Sequence, residues 1–400
     1  MTGRIRAMHS KIRDTNPFYN GRKLKLGSFS INLEHGGAAS TIDGTHKAHW
    51  PSIKALAKLH DDMEFEAVVP VARWRGFGGV TNFAGPGFET YTFAAGVGAQ
   101  TSYPAVVATS HVPLVHPIMA AKQMITIDHI SGGRAALNIV TGWNRPEIEM
   151  FGIELREHDA RYDMAVEWLE IVKRLWTEGA DFDYEGRFYK INKGYAEPKP
   201  IQKPYPPIMN AGGSERGRHF VAKYCDLAFL APKVREYGAL KKMADDYRNL
   251  ARDEYDNAIE VWTNAYVVQG ETEAEARDYL DEYVNRKGDW EAVTALIDTM
   301  GINAKTFTPE QLKAMKAHFI AGWGGFPLVG TREQIVDMLG RLSGCGFNGV
   351  VLTFPRFHDD MVAFRDKVHP LLVQTACAVS FCSRTDCSAT RTTRCRTSRW

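Results

Sequence analysis

No apolar run in the 400-residue chain reaches the roughly 18 residues needed to cross a bilayer, and the basic N-terminus lacks the apolar stretch of a secretory signal. No membrane association and a cytoplasmic location are therefore expected. Charge of one sign is also missing. Lys and Arg number 49 against 47 Asp and Glu, a net +2, without the basic clustering that a phosphate backbone requires, so nucleic acid is excluded as a partner. Cysteine is scarce: of six, Cys377, Cys382, Cys387 and Cys395 fall after residue 375, leaving Cys225 and Cys345 for a body that needs no disulfide framework.

Several chemical signatures are absent as well. There is no His-x-His pair, no HExxH and no acidic cluster at ligand spacing, which disfavours a metal centre. A GxSxG nucleophile elbow is missing. The segment SINLEHGGAAS after the first predicted strand does not fit GxGxxG, which weakens an open dinucleotide-binding sheet.

What is present is 44% hydrophobic residues, enough for one large core. Short β-prone runs are predicted as strands at 24–33, 66–72, 105–112, 134–140, 207–211, 226–231, 259–268 and 349–354. Helical spacing follows at 50–62, 161–177 and 331–342. Strands such as GVVLTF are apolar throughout, as in a parallel sheet covered on both faces. Eight strand–helix units in succession predict an α/β fold, a closed (β/α)8 TIM barrel with loop insertions at 181–206 and 287–327. The second insertion reads as irregular and is either a lid or a packing excursion. Residues 1–22 read as a flexible polar leader and 23–375 as the barrel. Residues 376–400, rich in Arg and Cys but lacking any CxxC pair, read as a disordered or artificial tail and not as a zinc site.

Barrel active sites form at strand C-termini, which selects Arg73, Trp74 and Arg75, then Thr109 and His111, then Asn138, Thr141 and Trp143. In PPIMNAGGSERGRHF a buried strand runs through Gly212, Gly213 and Ser214 into a helix. The arrangement suits backbone amides binding a phosphate, or simply a tight turn with Ser214 as N-cap. Arg161 and Tyr162, opening another helix, form a second anion-binding candidate, although an Arg in a first helical turn is more often solvated surface. His111 and His116 flank apolar VPLV and fit core positions. Glu147 and Glu149 are spaced i, i+2, which turns them to different sides of a helix and argues against a paired-carboxylate site.

Together ARWRGFGGVTNF, ISGGRAALNIVTGWNRPEIEMFG, the AGGS turn and GVVLTFPRFHDDMVAFRDKVHPLL resemble the bacterial luciferase-like flavin monooxygenases. The pyrimidine (uracil) monooxygenase branch looks nearest, with alkanesulfonate and dibenzothiophene-sulfone monooxygenases as relatives. The resemblance implies a barrel, a homodimer or homotetramer, that receives FMN as FMNH2 from a separate NAD(P)H:flavin reductase. With O2 as co-substrate it would form a flavin peroxide at C4a or N5 and cleave a carbon–heteroatom bond of a small organic substrate of pyrimidine, sulfonate, sulfone or haloarene type. Flavin contacts carried over are Ala72, Arg73, Asn138, Glu147, Arg161, Tyr162 and the turn Gly212, Gly213 and Ser214. Thr109 and Asn138 would hold dioxygen, Arg73 would stabilise charge on the substrate, and Trp74, Phe83, His111 and Trp143 would line the substrate pocket; no metal is implied. Where that branch carries Lys this chain has Arg73, and Trp74 replaces a smaller aliphatic residue, so a substrate other than uracil is open. Two alternatives are a deazaflavin-dependent dehydrogenase of the same superfamily, against which the Thr109 and Asn138 pair speaks, and a non-catalytic flavin-binding protein.

Overall fold

The computed structural model describes residues 15–232, 234–303 and 306–382, with side chains as far as residue 375. All eight predicted strands form. They are β1 (Lys25–Phe29), β2 (Ala67–Val69), β3 (Ala105–His111), β4 (Ala135–Val140), β7 (Ile208–Asn210), β8 (Leu227–Leu230), β9 (Glu260–Gln269) and β11 (Gly349–Thr353). Each pairs in parallel with its neighbours, β8 with β9, β9 with β11 and β11 with β1, so the sheet closes on itself as a (β/α)8 barrel.

Strand period decides what faces inward. Val69, Ala105, Val107, Ala136, Met209, Leu227, Phe229, Trp262 and Val351 pack together inside the barrel. Their neighbours Val68, Val106, Leu137, Ile208, Val350 and Leu352 turn outward beneath the helices. Above the apolar layer the same inward period continues through Thr109, His111, Asn138 and Asn264. A polar mouth on an apolar plug is therefore written into the alternation.

The floor of the barrel comes from the leader. Phe18 is fully buried and meets Trp262 edge-on at 5.0 Å, and the buried Asn16 side chain donates to the carbonyl of Ala135 and to Gln202 Oε1. Residues 15–22 are thus packed structure rather than flexible leader; residues 1–14 lie outside the described residues. At the other end the helix His369–Cys382 runs past the predicted boundary at 375, and the rest of the tail lies outside the described residues.

The first insertion forms an antiparallel hairpin, β5 (Phe182–Glu185) with β6 (Lys190–Gly194). The second is not irregular. It holds helices Trp290–Thr299 and Pro309–Gly322, then β10 (Phe326–Gly330), which pairs with the upper half of β9. The helices start on Asp289 and Thr308, the latter a full capping box with Gln311, and these were the overlooked signals. Thr81 donates through both its amide (2.7 Å) and its hydroxyl (2.8 Å) to Asp289, Ala39 N–H bonds the Ile320 carbonyl at 3.0 Å, and Tyr266 bonds His318 at 2.8 Å. So anchored, the insertion is a fixed cap on one side of the mouth and not a loose lid.

Candidate active site

The residues after β2 and the inward positions at the end of β3 converge on one cleft of about 290 Å3, counting space open to solvent. Ala72, Arg73, Trp74, Thr109 and His111 line it, together with Phe88, Glu89, Thr90, Tyr91 and Val115. The latter five were not singled out from the sequence. The first four sit where the β2 loop turns into helix Thr90–Gln100, capped by the Glu89 carboxylate, and Val115 lies in the turn after β3; no strand-end position marks them.

Arg73 is buried against Glu147, Nη1 to Oε2 at 2.9 Å, with side chains 4% and 1% exposed. The other carboxylate oxygen of Glu147 accepts the amides of Trp74 (2.8 Å) and Arg75 (3.2 Å). Both oxygens therefore face the β2 loop. Glu147 thus shapes the loop and holds Arg73. The guanidinium carbon lies 5.3 and 5.0 Å from the Phe77 and Trp143 ring centroids, and those two rings stack within 8° of parallel. Burial lowers the Arg73 pKa while the Glu147 charge opposes that shift, and Arg73 Nε is buried without an acceptor among the described residues.

Thr109 and Asn138 are register partners on β3 and β4. The Thr109 hydroxyl donates to the Pro70 carbonyl at 2.7 Å and accepts from Asn138 Nδ2 at 3.3 Å. Its proton is thus committed, and Asn138 is the member of the pair with free capacity, its Oδ1 buried and unpartnered among the described residues. Beside them burial, and then the charge of Arg73, push His111 down to about 3, so its imidazole is neutral at ordinary pH.

Two residues expected at the substrate pocket, Phe83 and Trp143, are not among those that line this cleft. Phe83 is fully buried against Trp323, with ring centroids 4.8 Å apart, and Trp143 stacks on Phe77 behind Arg73. A strand-end position in sequence fixes height on the barrel but not which way a loop residue turns.

The Gly212–Ser214 turn, expected to bind a phosphate, leads into the start of helix Glu215–Tyr224. The Ser214 hydroxyl accepts the Gly217 amide at 3.0 Å, so the N-cap reading of the turn is correct. The Tyr162 hydroxyl reaches Ser214 and Thr141, and a Cβ on Gly217 would stand 2.5 Å from it. A Cβ on Gly212 would stand 2.7 Å from the Gly217 carbonyl oxygen, whereas one on Gly213 would meet nothing within 4 Å and its φ is not in the left-handed range. Packing explains Gly212 but not Gly213, which has room for a side chain. Arg161, the fourth residue of helix His158–Thr177, donates to the Gly142 carbonyl. Its buried Nε has no acceptor among the described residues. Unpaired donors and an accessible helix N-terminus fit a phosphate, and the orphaned Asn138 beside the cleft fits a polar ring edge.

A family model described as luciferase-like monooxygenase matches residues 28–349. The chain belongs to that family. It is 30% identical over 355 residues to the FMNH2-dependent dimethylsulfone monooxygenase of Pseudomonas putida, covering 87% of this chain and 95% of that one. To the pyrimidine monooxygenase RutA of Acinetobacter baylyi it is 28% identical over 353 residues, covering 87% and 95%. Among solved structures, the riboflavin lyase RcaE with modified FMN and riboflavin superposes with a TM-score of 0.78 at 22% identity, over 89% of this chain and 92% of that one. An F420-dependent secondary alcohol dehydrogenase reaches a TM-score of 0.64 at 16% identity, over 88% and 99%, so the barrel itself is shared with hydride-transfer enzymes. Among the described residues no group of three or more His, Cys, Asp or Glu could hold a metal, and no helix is long and apolar enough to cross a membrane.

Proposed function

We propose that this chain is the oxygenase of a two-component system: it takes reduced FMN from a separate NAD(P)H:flavin reductase, uses O2, and cleaves a carbon–heteroatom bond in a small organic substrate. The observation that carries this reading is the buried, unpartnered Oδ1 of Asn138, whose Nδ2 is bonded to Thr109 on the wall of the cleft that also holds Arg73. The monooxygenase relatives, one named for FMNH2, agree with it.

Bound reduced FMN would supply the two electrons that activate dioxygen. The chain's own residues would do the rest. Arg161, Tyr162, Ser214 and the Gly213 amide hold the phosphate, while Ala72 and Asn138 contact the ring. Asn138 Nδ2, with one N–H held by Thr109 Oγ1, turns its second N–H toward the negative charge that develops on oxygen, and its Oδ1 is left to accept from a donor on the flavin ring edge. Arg73, aimed by Glu147, stabilises charge on the substrate. Neutral His111 and the walls of Trp74 and Val115 keep bulk water out of the reacting volume. Assembly as a homodimer or homotetramer belongs to the same reading; Met119 and Ile130, exposed on helix Pro117–Ile130, are available for such a contact.

Oxygen uptake by the purified chain with chemically reduced FMN, across pyrimidines, sulfones, sulfonates and chloroarenes with product mass spectrometry, tests this reading. Substrate-coupled uptake is expected, with no NADH oxidation by the chain alone. A chain that instead reduces a carbonyl with reduced deazaflavin and ignores oxygen is a dehydrogenase.

A further inference from the structure

Most of the cleft lining belongs to one excursion of the chain. It leaves the barrel after Val69, the end of β2, and returns in helix Thr90–Gln100. Residues 72–74 of the outgoing arm and residues 88–91 of the returning arm line the cleft, and Thr109, His111 and Val115 complete it. The spacing of the two arms therefore sets the width of the cleft.

Both arms are tied at their neck to the segment that follows β1. Asn32 in that segment is fully buried, and its Oδ1 accepts the Val71 amide at 2.9 Å. Its Nδ2 donates to the Val71 carbonyl at 2.9 Å and to the Phe88 carbonyl at 3.1 Å. The Asn32 backbone carbonyl also accepts the Phe88 amide, at 3.0 Å. Val71 comes directly before the outgoing part of the lining, and Phe88 begins the returning part. One side chain thus spans the two arms.

The neck asks for one acceptor facing an N–H and two donors facing carbonyls, which is what a primary amide supplies. An ionised Asp has no donor, and Ser has one. Backbone pairing supports the same neck independently: Leu33 and Gly87 form an antiparallel bridge, and the Glu34 amide bonds the Pro86 carbonyl at 2.9 Å. A Cβ on Gly87 would stand 2.4 Å from Leu33 Cδ2, so the approach of the returning arm depends on that glycine. Farther along the excursion, Glu147 holds the amides of Trp74 and Arg75, and Asp289 holds Thr81 near the tip. Neck, outgoing arm and tip are each pinned by a different buried side chain.

We propose that Asn32 is a positioning residue that fixes the width of the cleft and thereby confines its occupant to a compact group, one that enters without parting the two arms. It acts through Val71 and Phe88 and touches no reactant. That the occupant is the substrate rests on the monooxygenase reading above; the width of the cleft does not.

A thiol on the cleft lining reads the width directly. In the full chain carrying Val115→Cys, iodoacetamide and N-benzyl-iodoacetamide attack by one chemistry and differ in bulk, and peptide mass spectrometry separates this thiol from the native cysteines. The folded chain should favour the small reagent, whereas in urea the two should react at similar rates. Adding Asn32→Asp, isosteric but with at most one donor, should speed the bulky reagent about tenfold relative to the small one, because a lost hydrogen bond and an acceptor left facing a carbonyl shift an opening equilibrium by that factor. Gly87→Ala keeps the amide but wedges the neck; it should move the ratio in the same direction and serves where Asn32→Asp does not fold. Phe18→Ala, which weakens the barrel floor far from the neck, should leave the ratio unchanged. No size discrimination in the wild-type background, an unchanged ratio in the folded neck variants, or an equal change in Phe18→Ala overturns the proposal. Turnover reads the consequence: for two compounds that wild type oxygenates, kcat/KM of Asn32→Asp should move in favour of the bulkier one, and a uniform fall would leave Asn32 a merely structural residue. Alkylation needs neither flavin nor oxygen, so failure of the width assignment and failure of the monooxygenase reading are distinguishable.

Discussion

Glu147 holds Arg73 at 2.9 Å in an ion pair almost wholly removed from water, and the same carboxylate ties down the two amides that follow Arg73. Three donors on one carboxylate make the β2 loop a rigid platform. Glu147→Ala should destabilise the protein by about 3–5 kcal/mol, the range for leaving one partner of a buried pair uncompensated. Glu147→Gln, which keeps two acceptor sites for the amides, should cost less. Urea unfolding of both variants checks this, and equal, small losses would mean that the loop is held by other contacts.

Arg161→Ala should weaken reduced FMN by about 1.5–3 kcal/mol, as for a hydrogen bond to a charged partner, and riboflavin by much less. The contrast matters because riboflavin lacks the phosphate. Equal losses for the two flavins would move the phosphate away from Arg161.

The barrel was legible because its strands are short apolar runs whose inward and outward residues follow period two; Ala105–His111 shows both. The N-capped turn proposed to hold the phosphate was legible because Gly212 to Ser214 lie together in sequence. The Arg73–Glu147 bond was not, since no pattern links positions 73 and 147 before the chain folds.

Phe18 shows the cost of reading a polar leader as loose. It is fully buried at the base of the barrel, and Phe18→Ala should cost about 3–5 kcal/mol through lost burial and the cavity left behind. A change in thermal midpoint below a degree or two would show that the barrel floor closes without it.

Low pH should weaken the fold through buried histidines. His60 donates from Nδ1 to the Leu56 carbonyl and accepts the Ser28 hydroxyl at Nε2, and burial pushes it down to about 4; His111 is pushed to about 3. Between those values and the unfolded value of about 6.5, the unfolded chain binds protons that the folded chain refuses. Stability should therefore rise with pH across that window, by about 1.4 kcal/mol per unit for each such group. Asp360, raised to about 6 mainly by burial, slopes the other way, so the comparison is with a variant. His60→Gln should flatten the urea-derived stability profile between pH 4 and 6.5 relative to wild type; an unchanged slope would mean that His60 titrates normally.

The sharpest test separates Asn138 from Thr109. If both donated to oxygen, Thr109→Val and Asn138→Ala would damage turnover alike, but the Thr109 proton already belongs to the Pro70 carbonyl. Thr109 then works through Asn138, as the acceptor that fixes its amide. Asn138→Ala should fold with a stability loss near 1 kcal/mol, because it removes one long hydrogen bond and one oxygen that had no partner. It should lose about a hundredfold or more in substrate oxygenation, the scale for deleting a donor aimed at developing negative charge. Thr109→Val should lose less, about tenfold, and should also cost about 1–3 kcal/mol in stability by leaving the Pro70 carbonyl unpaired. Thr109→Ser keeps the hydroxyl and should restore both. The double variant should be no slower than Asn138→Ala, since the second change removes only the support of a group already gone. Rapid mixing of the reduced, FMN-loaded enzyme with oxygen, followed by product analysis, measures all four variants. Additive losses, or a Thr109→Ser variant as slow as Thr109→Val, would return the hydroxyl to direct contact with oxygen.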